Sequence, residues 1–423
     1  MYQLSKLSNG IRVLTTHLKD RASVGLGIWV KAGARFEPKR ISGISHCLEH
    51  MLFKGTKNRS TRKIKEDVEG VGGVMNAFTG EESTCYFVKI LKDYASQAFD
   101  VLSDMANDAL LSAKELAKER TVILEEIKMY MDLPSHHVHE LMGELLWPDQ
   151  PLGRPIAGTL ESVSRLSAQD LRRYMDQYYH PKNLLVSFCG EVSHEEIRGL
   201  TEKWFGRRKS KESVHFGLAR SRQSRPRFYF LNKKTEQMHF VVGFHGLSKT
   251  DPDRHALSVL NVILGANMSS RLFEEVREKR GLAYEIRSGL SFFEDTGAVT
   301  VSAGVEPKKA NLAVRVIMRE LRRLKTSVVS DGELKRAKDY FIGQFSLGLE
   351  DTLDHMLWVG ERTLFRDALP DREKIFRNIR AVTKEEIHAL SKKLFRTGGL
   401  NFSLIGSYAD GFEKKIEAEC VCD

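Results

Sequence analysis

The sequence is poor in cysteine and has no long apolar run, and each shortage argues against a class of protein. Its 423 residues include five cysteines, an odd number with no framework spacing. That argues against a disulfide-stapled scaffold, and Cys47, Cys85 and Cys189, set in apolar surroundings, read as reduced buried thiols. Cys420 and Cys422 are separated by one residue, which is not a zinc-knuckle spacing. No stretch approaches the roughly 18 consecutive apolar residues of a membrane-spanning helix, so no membrane partner is expected. The opening MYQLSKLSNGIRVLTTH carries neither the apolar core of a secretory signal nor the Arg-rich amphipathic character of a transit peptide, and a cytoplasmic location is expected.

What is present is the composition of a globular protein, with 41% hydrophobic and 29% charged residues. The length predicts roughly two to three domains. Lys and Arg total 66 against 56 Asp and Glu, a formal charge of +10. From Gly206 to Arg227 there are eight Lys or Arg and one Glu, so this stretch holds +7 and the remainder +3. It lacks apolar periodicity and reads as a surface linker. Phosphate binding by such a linker would be salt-sensitive and without sequence preference. No helix-turn-helix, zinc finger or aromatic RNA-binding motif accompanies it, so no specific nucleic-acid partner is expected.

The linker divides the chain into residues 1–205 and 228–423, and the two parts repeat one another weakly. LSAQDLRRYMDQYYHPKNLLVSFCG from Leu166 matches VTKEEIHALSKKLFRTGGLNFSLIG from Val382, an offset of 382 minus 166, or 216 residues. Ser167 and Thr383 both have the character of helix N-caps, with Asp170 and Glu386 three residues on as capping-box partners. Each helix then runs into a short apolar strand ending at Gly190 or Gly406. A second match joins EPKRISGISHCLEHML from Glu37 to DPDRHALSVLNVIL from Asp251. Two copies are too few for a solenoid, so an internal duplication is inferred. Strands are expected at 23–33, 84–91, 238–247, 284–293 and 297–305. Long helices are expected near 42–55, 112–132, 164–178, 254–264, 306–325 and 331–349. Strands cluster with strands and helices with helices, which favours an α+β fold of two similar domains.

The helix beginning near Ser42 carries the strongest chemical signal. At 100° per residue, Ile44, Cys47, Leu48, Met51 and Leu52 gather on one face and His46, Glu49, His50 and Phe53 on the other. Two His four residues apart are stacked neighbours on a helix, and both can reach one Zn²⁺ at about 2.0 to 2.1 Å. Glu49 beside them is placed to act as a general base without occupying a coordination position. The His-x-x-Glu-His order is the inverse of the commoner His-Glu-x-x-His zinc helix. A catalytic zinc normally has a third protein ligand. The helix from Leu111 is the natural source, with Glu119 and Glu126 two turns apart on one stripe. Spacing alone leaves Glu125 a rival to Glu126, with Glu119 suited to support from behind.

Three further segments carry weaker signals. GGVMNAFTGEESTCYFVKIL from Gly72 reads as a turn, a short polar strand and an apolar strand, with an edge able to pair with an extended peptide. REKRGLAY, from Arg277 to Tyr284, joins a basic helix end to a strand through Gly281 as its C-cap. An Arg and a Tyr there are able to hold a substrate carbonyl or oxyanion. His136, His137 and His139 fit no closed metal site and read as a polar surface or cleft lining.

These residues resemble the pitrilysin/insulinase family of zinc metalloendopeptidases, the inverzincins, and within it the bacterial branch similar to mitochondrial processing peptidase. The resemblance rests on GISHCLEHMLFKGT, on ERTVILEEI followed by PLGRPIAGT, and on SSRLFEEVREKRGLAY, in the family's order and spacing. It implies that His46, His50 and Glu126 bind one Zn²⁺ per chain, that Glu49 is the general base, and that Glu119 is the supporting carboxylate. It implies that Asn76 and Ala77 hold substrate backbone and that Phe53 lines the pocket beyond the scissile bond. Arg277 and Tyr284 match the pair that the second half lends to the active site. The family's architecture implies two similar α+β domains per chain and two chains around a chamber, here expected as a homodimer. The second half lacks the zinc set, with Asn261 near its motif helix and Gln344 opposite Glu126. Relatives commonly carry acidic residues on the chamber wall where this chain reads MDLPSHHVHE, so that His136 and His137 replace acids and Glu140 is retained. That weakens an expected preference for Arg-containing leaders. The function implied is a zinc metalloendopeptidase acting on peptides or unfolded segments held as an extended strand. The alternative is a non-catalytic partner subunit of a heteromeric processing peptidase, an alternative the intact zinc set argues against.

Overall fold

The computed structural model describes residues 1–422. The chain packs into two compact units, neither contiguous in sequence: Met1–Ile127, Pro155–Gly217 and Ser346–Asp371 form the first, and Lys128–Arg154, Leu218–Phe345 and the chain from Arg372 onward form the second. One passage between units, at Gly217 to Leu218, lies within the basic 206–227 segment. The fold is α+β, with one sheet in each unit.

The first sheet has six strands: β1 (Tyr2–Lys6), β2 (Arg12–His17), β3 (Ser23–Val30), β4 (Val74–Thr79), β5 (Thr84–Leu91) and β6 (Leu184–Gly190), in the order β1-β2-β6-β3-β5-β4. Only β2 and β6 run parallel; the other neighbours are antiparallel. Strand side chains alternate between faces, so Val24, Leu26, Ile28 and Val30 of β3 enter one core with Val88 and Phe188, and Trp29 enters another. Helices Ile44–Leu52, Thr61–Glu69, Ala95–Asp108 and Ala168–Tyr178 contribute to the larger core. Against the opposite face lies helix Thr352–Leu364, whose Val359 and Leu364 join Trp29, Leu14 and Leu185. Its backbone approaches so closely that a Cβ on Gly25 would lie 2.6 Å from the Thr352 carbonyl oxygen. Only glycine fits there.

The second sheet has five strands: β7 (Arg227–Asn232), β8 (Met238–His245), β9 (Ala283–Phe292), β10 (Gly297–Val305) and β11 (Asn401–Gly406), in the order β7-β11-β8-β10-β9. Adding five to each label of β2-β6-β3-β5-β4 reproduces this order, and the parallel pair recurs as β7 with β11. The inferred duplication is therefore a duplication of topology, with β1 an addition to the first copy. Both expected capping boxes form, Ser167 with Asp170 and Thr383 with Glu386, at the N-termini of helices Ala168–Tyr178 and Lys384–Leu394. Helices Arg254–Leu264, Ala310–Thr326 and Lys384–Leu394 bury apolar stripes in the main core of this unit. Helix Pro134–Leu146 covers the other face, packing Val138, Leu141, Met142 and Leu146 with Val241 and Ile405.

The segment expected as one helix over 164–178 is two, Leu160–Ser164 and Ala168–Tyr178, because the Ser167 cap starts a new helix. Among the described residues, no helix is long and apolar enough to cross a membrane.

Candidate metal centre

The site is built on helix Ile44–Leu52 of the first unit. Ile44, Cys47, Leu48, Met51 and Leu52 are fully buried, while His46, Glu49 and His50 remain half-buried on the other face. Burying each large apolar side chain contributes roughly 1.5–3 kcal/mol, which fixes the rotation of the helix and hence the direction of its polar face. Its N-terminus starts at Gly43, in the left-handed region at φ +88°. A Cβ there would stand 2.4 Å from the Ala157 carbonyl oxygen. The amides of that first turn, which have no partner within the helix, are capped from a distance: the Gly43 and Ser45 N–H groups donate to the two carboxylate oxygens of buried Glu37 at 2.7 and 2.8 Å.

The second element is helix Ala113–Asp132, whose buried stripe is Leu116, Glu119, Ile123 and Ile127. Glu126 lies at the edge of this stripe, facing the histidines, whereas Glu125 is on the exposed side. The Nε2 atoms of His46 and His50 are 3.8 and 3.7 Å from one Glu126 oxygen. These gaps are too long for hydrogen bonds. One donor atom from each of His46, His50 and Glu126 lies within 4.8 Å of the others, and no other such group occurs among the described residues. Ligands about 2.0–2.1 Å from a tetrahedral zinc stand about 3.3–3.4 Å apart, so the two distances to Glu126 exceed that spacing by a few tenths of an ångström. The residues fit the ion.

The protonation chemistry suits the same use. Burial holds His46 low, to about 4, with His50 adding to the effect and Glu126 opposing it, so its imidazole is neutral at pH 7. Its Nδ1 is buried without a protein hydrogen-bond partner, leaving Nε2 as the nitrogen toward Glu126. His50 Nδ1 lies 3.2 Å from Glu119, which fixes the proton on Nδ1 and frees Nε2. Burial pushes the Glu49 carboxyl above its ordinary range, partly offset by a 2.5 Å hydrogen bond from the Thr79 hydroxyl.

Thr79 ends β4, the open edge of the six-stranded sheet. Asn76 is exposed on this strand and its side-chain oxygen accepts the Ala77 amide hydrogen at 2.8 Å. Phe53 closes the Ile44–Leu52 helix, half-buried, with its ring 6.4 Å from that of Tyr86. Three participants escape sequence reasoning. Thr79, Lys54 and Glu37 act on partners 30, 65 and 6 to 8 residues away respectively. Local spacing holds no signal for such pairs.

In the second unit, Arg277 lies near the end of a π-helical turn, Phe273–Glu278, and Gly281 reaches φ +56° before β9 begins. The Arg277 guanidinium stacks between Phe273 and Tyr284, 4.7 and 4.8 Å from their ring centres. Tyr284 is 78% exposed. Helix Pro134–Leu146 presents His136, stacked on Tyr130, and half-buried His137, His139 and Glu140. Burial raises the Glu140 carboxyl, and neighbouring Glu144 raises it further. Asn261 accepts a hydrogen bond from Ser288 at 2.6 Å. The basic segment is partly structural: Arg208 is held by the Tyr179 carbonyl and Asn107 at 2.6 and 2.8 Å, and Arg227 by the Leu145 carbonyl at 2.6 Å.

Comparison with known proteins gives the family and the fold. Residues 12–160 match the family described as insulinase (peptidase family M16), and residues 165–341 match the peptidase M16 inactive domain. A Bacillus subtilis protein named an uncharacterized zinc protease is 38% identical over 391 residues, covering 92% of this chain and 94% of its own. A Streptomyces coelicolor protein, likewise named an uncharacterized zinc protease, is 37% identical over 392 residues, covering 91% and 85%. The fold is shared with the crystal structure of a protease from Helicobacter pylori, at TM-score 0.90 and 22% identity over 96% of this chain and 99% of that one. It is shared also with a peptidase M16 inactive domain from Pseudomonas fluorescens, at TM-score 0.88 and 18% identity over 97% and 98%. The chain belongs to the insulinase family of peptidases, family M16.

Proposed function

We propose that this protein is a zinc-dependent metalloendopeptidase that cleaves peptides or short unfolded segments bound as an extended strand. The observation that carries the reading is the convergence of His46, His50 and Glu126, with Glu49 beside them but outside the donor set. His46, His50 and Glu126 would hold one zinc ion. When bound, zinc supplies Lewis acidity that activates water and polarises the scissile carbonyl.

The chain's own residues do the rest. Thr79 occupies one Glu49 oxygen, leaving the other to take a proton from the attacking water and pass it to the leaving amine. The carboxyl's half-buried setting raises the proton affinity of the carboxylate, which suits it to accept the proton. The open edge of β4, at Asn76 and Ala77, offers main-chain hydrogen bonds to an extended peptide, the mode of strand addition. That mode selects unfolded backbone rather than a side-chain signature. Phe53 would line the pocket beyond the scissile bond. Holding the substrate or its oxyanion by Arg277 and Tyr284, and substrate contact at Glu140, are parts of the same proposal. So is a homodimer enclosing a chamber too small for folded proteins, which sedimentation of the full chain tests directly.

The decisive experiment pairs elemental analysis with hydrolysis of a quenched peptide library, before and after chelation and zinc return. One zinc per chain with chelator-sensitive, zinc-restored cleavage is the expected result. Folded protein that neither binds zinc nor cleaves would instead be the non-catalytic partner subunit.

A further inference from the structure

His50 is held from behind by a chain of charges that ends outside the donor set. Its Nδ1 lies 3.2 Å from one oxygen of Glu119, and the other oxygen of Glu119 lies 2.6 Å from the Lys54 ammonium. Glu119 is only 7% exposed. A carboxylate so far from water needs a partner at each oxygen to keep one orientation, because an unmade buried hydrogen bond is costly. His50 supplies one partner and Lys54 the other.

Lys54 is itself fixed. It follows the zinc helix, with its amide donating to the Met51 carbonyl at 3.1 Å, and it precedes Gly55, at φ +106°, where the chain turns away. The loop beyond is clamped on both sides. The Lys57 amide donates to the Asp108 carbonyl at 3.0 Å and the Leu110 amide to the Gly55 carbonyl at 3.1 Å. Arg59 is gripped by Asp67, Asp100 and Asp104 at 3.0, 2.5 and 2.8 Å, and Thr56 and Asn58 donate to the same Asp104. A four-carbon side chain on a loose loop would be a poor anchor, since ordering it costs conformational entropy. On this clamped loop most of that cost is met before any metal arrives.

We propose that Lys54 is a positioning residue for the metal centre: by holding Glu119 against His50 Nδ1 it keeps the His50 Nε2 lone pair aimed at the metal and sets the affinity and residence time of the ion. The inference rests on the reading of His46, His50 and Glu126 as zinc ligands. Outer partners of ligating histidines typically change metal affinity by about 10- to 100-fold when removed.

The test is the zinc dissociation constant of the full chain, measured with zinc chloride against a chromogenic chelator, together with the rate of zinc loss to excess chelator. Lys54→Met should bind zinc at least about tenfold more weakly and release it correspondingly faster, and Lys54→Arg, which retains the charge, should recover most of the loss. Lys57→Met, removing the loop lysine that pairs with Asp108 at the surface, should leave both quantities unchanged. A general loosening of the loop would not separate these variants in this way. Lys54→Met that binds and holds zinc as tightly as the parent overturns the inference while leaving the zinc reading intact. A parent that binds no more zinc than His46→Ala overturns the reading and the inference with it. Should Lys54→Met fail to fold, Lys54→Gln is read by the same two quantities, and parent-like values there overturn the proposal equally.

Discussion

Thr79 donates its hydroxyl hydrogen to Glu49 at 2.5 Å, from the last residue of the edge strand to the acid of the zinc-motif helix. The strand proposed to receive substrate therefore also orients the proposed general base. Thr79→Val removes the donor and keeps the shape. Peptide hydrolysis should fall in kcat, by roughly tenfold if one such bond is worth about 1.5 kcal/mol, with zinc content unchanged. Thr79→Ser should restore it. Parent-like kcat in the valine variant would separate β4 from the orientation of Glu49.

The stacking of Arg277 between Phe273 and Tyr284 leaves Tyr284 mostly exposed, which sets function apart from stability at this position. Tyr284→Ala should change the unfolding free energy by no more than about 1 kcal/mol, since an exposed cation–π contact is worth about 0.5–1 kcal/mol. Its kcat/KM toward peptides should nevertheless drop, with zinc binding unaltered. A variant as active as the parent would remove Tyr284 from the substrate-holding role.

Gly43 tests the foundation of the helix that carries His46, Glu49 and His50. Its φ of +88° and the 2.4 Å that would separate an added Cβ from the Ala157 carbonyl oxygen make alanine doubly unfavourable. Gly43→Ala should destabilise the protein by more than about 1 kcal/mol, read from the denaturant midpoint at unchanged slope. Equal stability would mean that the turn into this helix relaxes at little cost.

The cysteines give a probe of the native packing that is independent of metal. All five are buried, and burial pushes the Cys189 thiol up to about 12 and Cys85 well above its ordinary value. The thiolate is the reacting species, so near pH 8 both should resist iodoacetamide in the folded protein and react fully in denaturant. Fast labelling of Cys85 under native conditions, located by mass spectrometry, would contradict the packing of β5.

Much of this is legible in the sequence alone. The capping pairs Ser167/Asp170 and Thr383/Glu386, 216 residues apart, mark the duplication because caps are short-range chemistry written in neighbouring residues. The polar face of His46, Glu49 and His50 is legible for the same reason, being a matter of helical period. Helices Pro134–Leu146 and Thr352–Leu364 are not, because each covers a sheet built mostly from distant sequence, and nothing within HHVHELMGELL tells which sheet that is. Thr79 and Lys54 are silent too, since their carboxylate partners lie on other elements. The choice between Glu125 and Glu126 stays open on spacing alone because adjacent residues differ by 100° around the helix, and only the placement of that helix beside His46 and His50 decides which one faces them.

That choice yields the sharpest paired prediction. Glu126 has an oxygen 3.8 and 3.7 Å from the two histidine Nε2 atoms, while Glu125 is exposed one residue earlier on the same helix. Substituting each in turn by Gln leaves helix propensity nearly unchanged, so the two variants should be equally folded. Glu126→Gln replaces a carboxylate ligand with a neutral amide and should lose most bound zinc at stoichiometric supply, and peptide cleavage with it. Glu125→Gln should keep one zinc per chain and the parent's cleavage rate. Elemental analysis after gel filtration reads the first quantity and a quenched peptide the second. Zinc retained in Glu126→Gln and lost in Glu125→Gln would require the helix to be rotated so that Glu125 faces the histidines. Equal retention in both would take the third-ligand role away from Glu126 and from Glu125 alike, while leaving the contact of Glu119 with His50 Nδ1 to be tested on its own.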